Sequence, residues 1–167
     1  SNSTDVEQDI AEGITAFASD GFSVTQGANL EYNASGQTYV SWNWKANNTS
    51  GSSNSNGSIT STVSANTTAG FSIVSYTGNA TNSASFGHGL GVKPKIVFIK
   101  NRSTAKNPVW WQDTTGNGTS DIRIVLSGTG TNLNNYHVTF GTDTITLGNT
   151  DDAWNKSGDN FIAYCFA

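Results

Sequence analysis

The sequence has few charged residues, which make up 12% of its 167 positions, whereas an average globular protein has about 25%. Its formal net charge is −4, and no basic stripe is long enough to follow a nucleic-acid backbone. No apolar run approaches the length of a membrane span, and no basic amphipathic helix is evident. We therefore expect no nucleic-acid partner and no membrane partner.

Sulphur-containing residues are almost absent, because Cys165 is the only cysteine and methionine does not occur at all. No disulfide can form within the chain, so cysteine usage does not identify the redox compartment. Since methionine is missing from position 1 as well, we expect the chain to be a processed product or a fragment of a longer protein.

The sequence is instead rich in Ser, Thr, Asn and Gly, which together make up nearly half of it. This composition suits short strands joined by many turns, whereas helices would need more Leu, Ala, Glu and Lys. The 5 Trp, 5 Tyr and 8 Phe residues supply the apolar area that a folded core requires. The length allows one sandwich-sized domain or two small modules.

Alternation of apolar and polar residues predicts β-strands along most of the chain. The predicted strands are Ile14–Phe17, Phe22–Thr25, Thr38–Lys45, Ser58–Val63, Phe71–Tyr76, Lys95–Lys100, Val109–Gln112, Ile122–Leu126, Tyr136–Phe140, Thr144–Leu147 and Asn160–Phe166. Turn signals such as Asp20-Gly21 and Asn56-Gly57 separate them. Strands spaced this closely predict an all-β fold, an antiparallel β-sandwich that is jelly-roll-like and preceded by an extended N-terminal arm.

Two segments of the chain echo each other at a constant offset of 122 residues. Residues 33–44 read NASGQTYVSWNW and residues 155–166 read NKSGDNFIAYCF, so each is a polar turn followed by an aromatic strand. We interpret the pair as an internal repeat, with chance similarity among polar turns as the alternative. The predicted organisation is an acidic arm plus the closing strands of an incomplete first repeat at 1–46, a polar linker at 47–57 and a complete β-sandwich module at 58–167.

The incomplete first repeat carries two large aromatic side chains, Trp42 and Trp44, that need a packing partner. Leaving them in water costs about 25 cal/mol for each Å² of apolar surface. We therefore expect these closing strands to pack on the second module or on a neighbouring chain. The first arrangement is one merged sandwich, and the second is strand exchange between subunits.

Three motifs resemble a repeat of phage structural proteins. They are GFSIVSYTGN at Gly70–Asn79, the turn HGLGVKP at His88–Pro94 with the strand KIVFIKNR that follows it, and SGDNFIAYCFA at Ser157–Ala167. With these motifs, about two thirds of the chain is similar to the repeated β-sandwich modules of marine phage tail-fibre and virion-surface structural proteins. The resemblance implies a non-enzymatic part located on the virion surface or otherwise extracellular, and it says little about a ligand.

Signals for catalysis and for a bound cofactor are missing from the sequence. No GxSxG motif, no nucleophile with a matched base and no phosphate-binding loop occurs. His88 and His137 have no His or Cys neighbour at zinc-ligand spacing. The stretch Asp113–Asp121 resembles a calcium loop but has Ile124 where a bidentate Glu belongs, so we interpret it as a plain Gly/Asn loop, with calcium as the alternative. We predict no enzyme and no catalytic, cofactor-binding or metal-binding residues.

The neighbouring pair Trp110-Trp111 is a candidate contact surface. Adjacent residues of a strand point to opposite faces, so one indole enters the core while the other faces outward. An exposed indole has an apolar face and a polar edge, which suits sugar rings and protein partners. Trp110, Trp111 and Tyr136 are therefore candidate contacts to a host glycan or a partner, whereas burial between sheets or at a subunit contact is the favoured interpretation.

Opposite charges are concentrated in two separate segments. Five of the eight basic residues fall within fourteen positions, namely Lys93, Lys95, Lys100, Arg102 and Lys106. The N-terminal arm carries the acidic residues Asp5, Glu7, Asp9 and Glu12. We hypothesise that the arm of one subunit docks beside the basic segment of the next and sets the register of an assembly.

The sequence as a whole predicts a structural module of a phage tail fibre, appendage or capsid-surface decoration protein. Its predicted partners are further copies of itself and other virion proteins. One alternative is a carbohydrate-binding host-adhesion module that uses exposed aromatic side chains. The other is a subunit of a glycosylated extracellular filament, because the chain contains several Asn-x-Ser/Thr triplets.

Overall fold

The computed structural model describes residues 4–7, 13–25, 33–47, 49–119, 122–126 and 138–167, and these residues contain twelve β-strands and no helix. The predicted all-β fold is therefore confirmed. Two compact units make up the chain: the smaller is Glu7–Asn43, and the larger combines Ser1–Val6 with Trp44–Ala167. None of the described segments is a helix that could cross a membrane.

The smaller unit contains one antiparallel hairpin. Strand β1 (Gly13–Phe17) pairs with β2 (Phe22–Thr25). The Ala18 N–H closes the turn between them by donating to the Gly21 carbonyl at 2.8 Å. Both strands lie within one residue of the positions that the alternation predicts.

The described part of the larger unit contains two sheets, and every strand pairing in it is antiparallel. Seven strands form the first sheet in the order β3-β4-β5-β12-β7-β8-β9, and three form the second in the order β10-β11-β6. The strands are β3 (Ser52–Asn54), β4 (Ser61–Asn66), β5 (Phe71–Thr77), β6 (Ser85–Gly87), β7 (Ile96–Asn101), β8 (Val109–Gln112), β9 (Ile122–Val125), β10 (Val138–Phe140), β11 (Thr144–Leu147) and β12 (Asn160–Phe166).

One hydrophobic core lies between the two sheets. Its largest fully buried side chains come from both sheets and from the loop before β12: Trp111, Trp154, Phe86, Phe140 and Phe161. The Tyr76 ring stacks between Phe86 and Phe161, with centroid distances of 4.5 and 5.2 Å. The Tyr76 hydroxyl donates to the Trp154 carbonyl at 2.7 Å, so this buried polar group is satisfied. Two sheets packed over one core make the larger unit a β-sandwich.

Strand β12 occupies the centre of the seven-stranded sheet. It pairs with β5 over seven residues on one edge and with β7 over six on the other. Asn155 fixes the turn before the strand, because its side chain donates to the Thr81 carbonyl at 2.9 Å and accepts from the Asn79 N–H at 3.0 Å. One strand thus joins the two halves of the sheet.

The strand predicted at Thr38–Lys45 is wrong, because these described residues form no strand. Their alternation is real, but a strand also needs neighbours to accept and donate its backbone hydrogen bonds. In the seven-stranded sheet β12 already fills the central position between β5 and β7. An alternating sequence therefore indicates that a segment is able to be a strand, and the available neighbours decide whether it is one.

The linker predicted at residues 47–57 is wrong in part, because this stretch contains β3. Strand β3 pairs with β4 at the edge of the seven-stranded sheet, where its Ser and Asn side chains are largely exposed. An edge strand of polar residues has no apolar alternation to mark it. The extended N-terminal arm stays a prediction, since only residues 4–7 of its first twelve positions are described.

Candidate functional site

The outward face of the seven-stranded sheet carries aromatic side chains from several adjacent strands. Side chains alternate along β12, so Phe161 points into the core whereas Tyr164 and Phe166 point outward. Strand register sets Tyr164 beside Phe98 of β7, and Phe98 beside Trp110 of β8. We call this surface the outer aromatic face and define it by Trp44, Phe71, Phe98, Trp110, Tyr164 and Phe166.

Five rings of the outer aromatic face contact one another in a continuous series. The Phe166 ring centroid lies 4.9 Å from that of Phe71 and 5.2 Å from that of Trp44. On the other side, Phe98 lies 5.8 Å from Phe166 and 5.3 Å from Trp110. Aromatic rings about 4.5 to 7 Å apart stabilise each other beyond the area they bury. The face is therefore an ordered apolar platform.

Part of this platform is open to solvent. The side chain of Trp44 is 54% exposed, and that of Tyr164 is 37% exposed. The indole N–H of Trp110 is buried and donates to no acceptor among the residues that the structure describes. A buried donor without an acceptor is uncommon and costs free energy. The face thus offers open aromatic area at Trp44 and Tyr164.

Residues 45–47 hold Trp44 on the face. The Asn66 side-chain amide donates to the Lys45 carbonyl at 3.0 Å. The Ser64 hydroxyl accepts from the Asn47 N–H at 3.1 Å and donates to the Asn47 carbonyl at 2.9 Å. Ser64 and Asn66 are polar residues of β4, so side-chain hydrogen bonds rather than strand pairing fix this part of the chain.

A polar groove of about 330 Å³ lies at the opposite end of the same sheet face. Hydroxyl and amide side chains line it together with one guanidinium, from Thr60, Thr62, Ser75, Thr77, Asn160 and Arg102. The Thr77 hydroxyl donates to the Asn160 side-chain oxygen at 3.1 Å. The backbone N–H of Arg102 donates to the backbone carbonyl of Asn160 at 2.9 Å. Such a lining can form hydrogen bonds with a ligand that carries many hydroxyl groups.

The acidic arm and the basic segment meet within one chain at Lys100. The Lys100 ammonium donates to the Thr4 carbonyl at 3.2 Å and to the Lys106 carbonyl at 2.8 Å. Burial lowers the pKa of Lys100, and the nearby carboxylate of Asp5 opposes that shift. The contact that we expected between subunits is therefore made within the chain at this point, and docking of the arm on a second subunit stays a prediction.

The basic residues predicted as one docking segment fall into separate places. Lys93 and Lys95 place their ammonium groups beside Gly118 and Gly116 in the loop after β8. Lys100 and Arg102 lie instead on the outward face of β7 and at its end. Glu7 is an exposed residue of the smaller unit, whereas Asp9 and Glu12 lie outside the described residues.

Asp113 organises the loop that resembled a calcium site. One of its carboxylate oxygens accepts from the Gly116 N–H at 2.6 Å and from the Thr115 hydroxyl at 3.3 Å, and the other accepts from the Gly118 N–H at 2.7 Å. Burial alone would raise the pKa of Asp113, but these hydrogen bonds and the nearby Lys95 hold it below its usual value. Both oxygens are thus engaged within the loop, and Asp121 lies outside the described residues. The described residues contain no cluster of three metal-ligating side chains.

The two tryptophans of β8 do point to opposite faces. Trp111 is completely buried and packs edge-on against Trp154, with a centroid distance of 5.1 Å, so its predicted contact with a surface ligand is wrong. Trp110 is the outward member of the pair, and Tyr136 lies outside the described residues. The sequence prediction missed Tyr164, although its alternation with Phe161 was visible, because both faces of β12 are apolar.

Two potentially reactive side chains serve packing instead. His88 is fully buried, accepts from the Leu90 N–H through Nδ1 at 3.3 Å and places Nε2 3.3 Å from the Gly141 carbonyl. Burial lowers the pKa of His88, although the contact with Gly141 opposes the shift. Burial also raises the pKa of Cys165 to about 12, so its thiol stays protonated near neutral pH. Neither group is arranged as a nucleophile or as a general base.

A comparison with protein families places the chain in a family of unknown function. The family described as "Domain of unknown function (DUF7483)" matches residues 1–167. The chain belongs to this family. No curated protein and no solved structure matches it. DUF7483 membership supplies no activity, so the function has to be inferred from the geometry of the outer aromatic face and the polar groove.

Proposed function

We propose that this domain is a non-catalytic structural module of a virion surface, in a tail fibre, an appendage or a capsid decoration, and that it binds neighbouring protein through the outer aromatic face. The observation that carries the proposal is the series of five contacting rings, in which Trp44 is 54% exposed. Aromatic side chains are enriched at the centres of protein interfaces, because they bury much area at a small cost in side-chain entropy.

The placement of the phage-like motifs supports the same proposal. The motif GFSIVSYTGN supplies β5, KIVFIKNR supplies β7 and SGDNFIAYCFA supplies β12. These strands are neighbours at the centre of the seven-stranded sheet, in the order β5-β12-β7. The resemblance therefore concerns one contiguous part of the fold, and that part carries most of the outer aromatic face.

The proposal is tested by the mass of the purified chain, measured by light scattering across a dilution series. We expect an oligomer that persists on dilution. Trp44→Ser and Tyr164→Ser should each shift dissociation to concentrations about tenfold higher or more, because each removes an aromatic contact from the interface. Val92→Ser is the matched control, since Val92 is an exposed apolar residue that is not part of the face.

Two results contradict the proposal. A monomer at every dilution would remove self-assembly as the function of the face. Equal dissociation of the wild type, the face variants and the Val92→Ser control would show that the oligomer forms through another surface.

A carbohydrate-binding adhesion module is the second candidate, and the polar groove favours it. Its hydroxyl, amide and guanidinium groups lie on the same sheet face as the exposed Tyr164 ring, and sugar sites commonly combine hydrogen-bonding groups with an aromatic platform. Titration with oligosaccharides, followed by Trp fluorescence, tests it. Binding that weakens about tenfold in Asn160→Ala would favour this function, and an unchanged signal with every sugar would exclude it.

A further inference from the structure

Residues 33–44 repeat the turn that precedes β12 in conformation as well as in sequence. Before β12, the Asp159 N–H donates to the Lys156 carbonyl at 3.3 Å. At the equivalent positions, 122 residues earlier, the Gln37 N–H donates to the Ala34 carbonyl at 3.2 Å. The same turn hydrogen bond is therefore formed in both copies, although residues 33–37 lie in the smaller unit and residues 155–159 in the larger one.

The glycine of the turn adopts the same backbone angle in both copies. Gly36 has φ of +77°, and Gly158 has φ of +79°. Residues with a side chain rarely adopt this region, so a glycine at the same place in both segments fulfils the same structural requirement. The matched hydrogen bond and the matched φ support the interpretation of the two segments as a repeat.

The two copies differ in burial. Asn155 is fully buried and its amide is bonded to the backbone at Asn79 and Thr81, whereas its counterpart Asn33 is exposed. The inward residues of β12 show the same contrast. Phe161, Ala163 and Cys165 are completely buried, and the equivalent Tyr39, Ser41 and Asn43 are all exposed.

The outward residues of the first copy are apolar and open to solvent. Val40 is 71% exposed and Trp42 is 72% exposed. Their β12 counterparts are Ile162 and Tyr164, which lie between the strands on either side. Residues 37–43 belong to no sheet ladder among the described residues. Apolar side chains exposed to this extent in an alternating segment are typical of an interaction surface.

We infer that residues 33–44 are a closing strand for the sheet of another module of this same fold, entering between its β5 and β7 in place of that module's own β12, and that Trp44 leaves Phe71 and Phe166 of its own chain when the strand enters. Main-chain ladders on both edges give affinity, and the alternating side chains give specificity. The constant offset also sets the register. Ala163 pairs with Val74 and Ile99, so Ser41 should lie between the residues of the other module that correspond to these two.

This inference deepens the proposed function, because it names a second copy of the fold as the partner. The test puts the sequence of residues 38–44, the donor sequence, in the place of β12 within the intact chain. No isolated fragment has to fold. In the replaced chain, β12 carries the donor sequence TYVSWNW through the substitutions Asn160→Thr, Phe161→Tyr, Ile162→Val, Ala163→Ser, Tyr164→Trp, Cys165→Asn and Phe166→Trp.

Two further chains complete the design. The first is the same replacement with Cys165 retained, because burying an amide at that position is destabilising for a reason unrelated to strand fit. The second is a register control that carries the donor sequence displaced by one position, so that tryptophans replace Ala163 and Cys165 in the core. A shift by one residue turns every side chain to the opposite face.

The measurement is thermal unfolding followed by near-ultraviolet circular dichroism. We expect the replaced chains to unfold cooperatively, with a midpoint lowered by about 5 to 10 °C, and the register control to show no cooperative transition. Loss of the transition in both replaced chains overturns the inference, as does equal stability of the register control. A monomer in the dilution series would contradict the proposed function, whereas a persistent oligomer together with unfolded replaced chains would overturn this inference alone, so the two failures are distinguishable.

Discussion

Both faces of the seven-stranded sheet carry large aromatic side chains, but only one of them is a core. Trp111 and Trp110 are adjacent in β8, yet Trp111 is completely buried against Trp154 whereas Trp110 lies in the outer aromatic face. The inner face is covered by the three-stranded sheet, which supplies buried side chains such as Phe86 and Phe140. The difference shows that burial here depends on where the second sheet packs, and not on the hydrophobicity of a strand.

The largest expected difference between the faces is in thiol reactivity. Cys165 is buried on the inner face with a pKa raised to about 12, so its reaction with a thiol reagent at pH 8 should be roughly 10³-fold slower than that of an ordinary cysteine. The matched variant carries Tyr164→Cys together with Cys165→Ala, which moves the thiol to the neighbouring outward position. Rapid labelling of that variant and none of the wild type before unfolding is the expected outcome. Equal rates would mean that the inner face is open to reagent.

Replacing Trp111 and Trp110 one at a time compares how much each face contributes to the free energy of unfolding. Trp111→Ala should lower the free energy of unfolding by about 3 to 5 kcal/mol, because it leaves a cavity beside Trp154. Trp110→Ala should cost about 1 kcal/mol, since it removes a contact with Phe98 on a partly open face. Urea denaturation monitored by circular dichroism gives both values. If the two losses were equal, the outer face would be as closely packed as the inner one.

Acid should lower the stability of the folded protein through the buried side chain of His88. Its pKa is lowered in the folded state by burial, so the unfolded chain binds a proton more readily and stability falls as pH drops below the unfolded value of about 6.5. Thermal midpoints measured between pH 7.5 and 5 should decrease, and the decrease should be smaller in His88→Gln. Asp113 and Asp159 have lowered pKa values, so the stability they contribute is lost only at more acidic pH, as their carboxylates become protonated. An identical pH profile for His88→Gln would assign the change to other groups.

Trp44 provides the smallest expected effect on stability. Because its ring is more than half exposed and its main contact is Phe166, Trp44→Ala should lower the free energy of unfolding by about 0.5 to 1 kcal/mol. Denaturant titration beside the control Val92→Ala, which should be close to neutral, measures the difference. A loss as large as that of Trp111→Ala would mean that the outer face is part of the core.

Local sequence patterns predicted the strands well because alternation is a local property. Val109–Gln112 and Asn160–Phe166 have their predicted bounds, since each alternates strongly and is flanked by turns. The insertion of β12 between β5 and β7 was not predictable, because strand order depends on contacts between distant residues. Strand β3 was missed for a different reason, as its polar residues look like those of a loop.

The candidate site was predictable only in part. The opposite orientations of Trp110 and Trp111 followed from the strand geometry, but which of them would be outward did not. The contribution of Trp44 depends on side-chain hydrogen bonds from β4 to the residues that follow it, and no local pattern encodes these. The polar groove likewise gathers Thr62, Asn160 and Arg102 from three strands or strand ends.

The central position of β12 also determines how the sandwich is completed as the chain folds. Thr77 of β5 and Asn160 of β12 contact each other across 83 positions of sequence. Because a contact between residues so distant in sequence forms more slowly than a local one, we expect this pairing to be a late step of folding. Until it forms, β5 and β7 each present an open edge that other unfinished chains can pair with. The yield of correctly folded protein should therefore depend on how quickly β12 pairs with β5 and β7. When β12 is synthesised more slowly, these edges stay open for longer, so aggregation should increase with protein concentration.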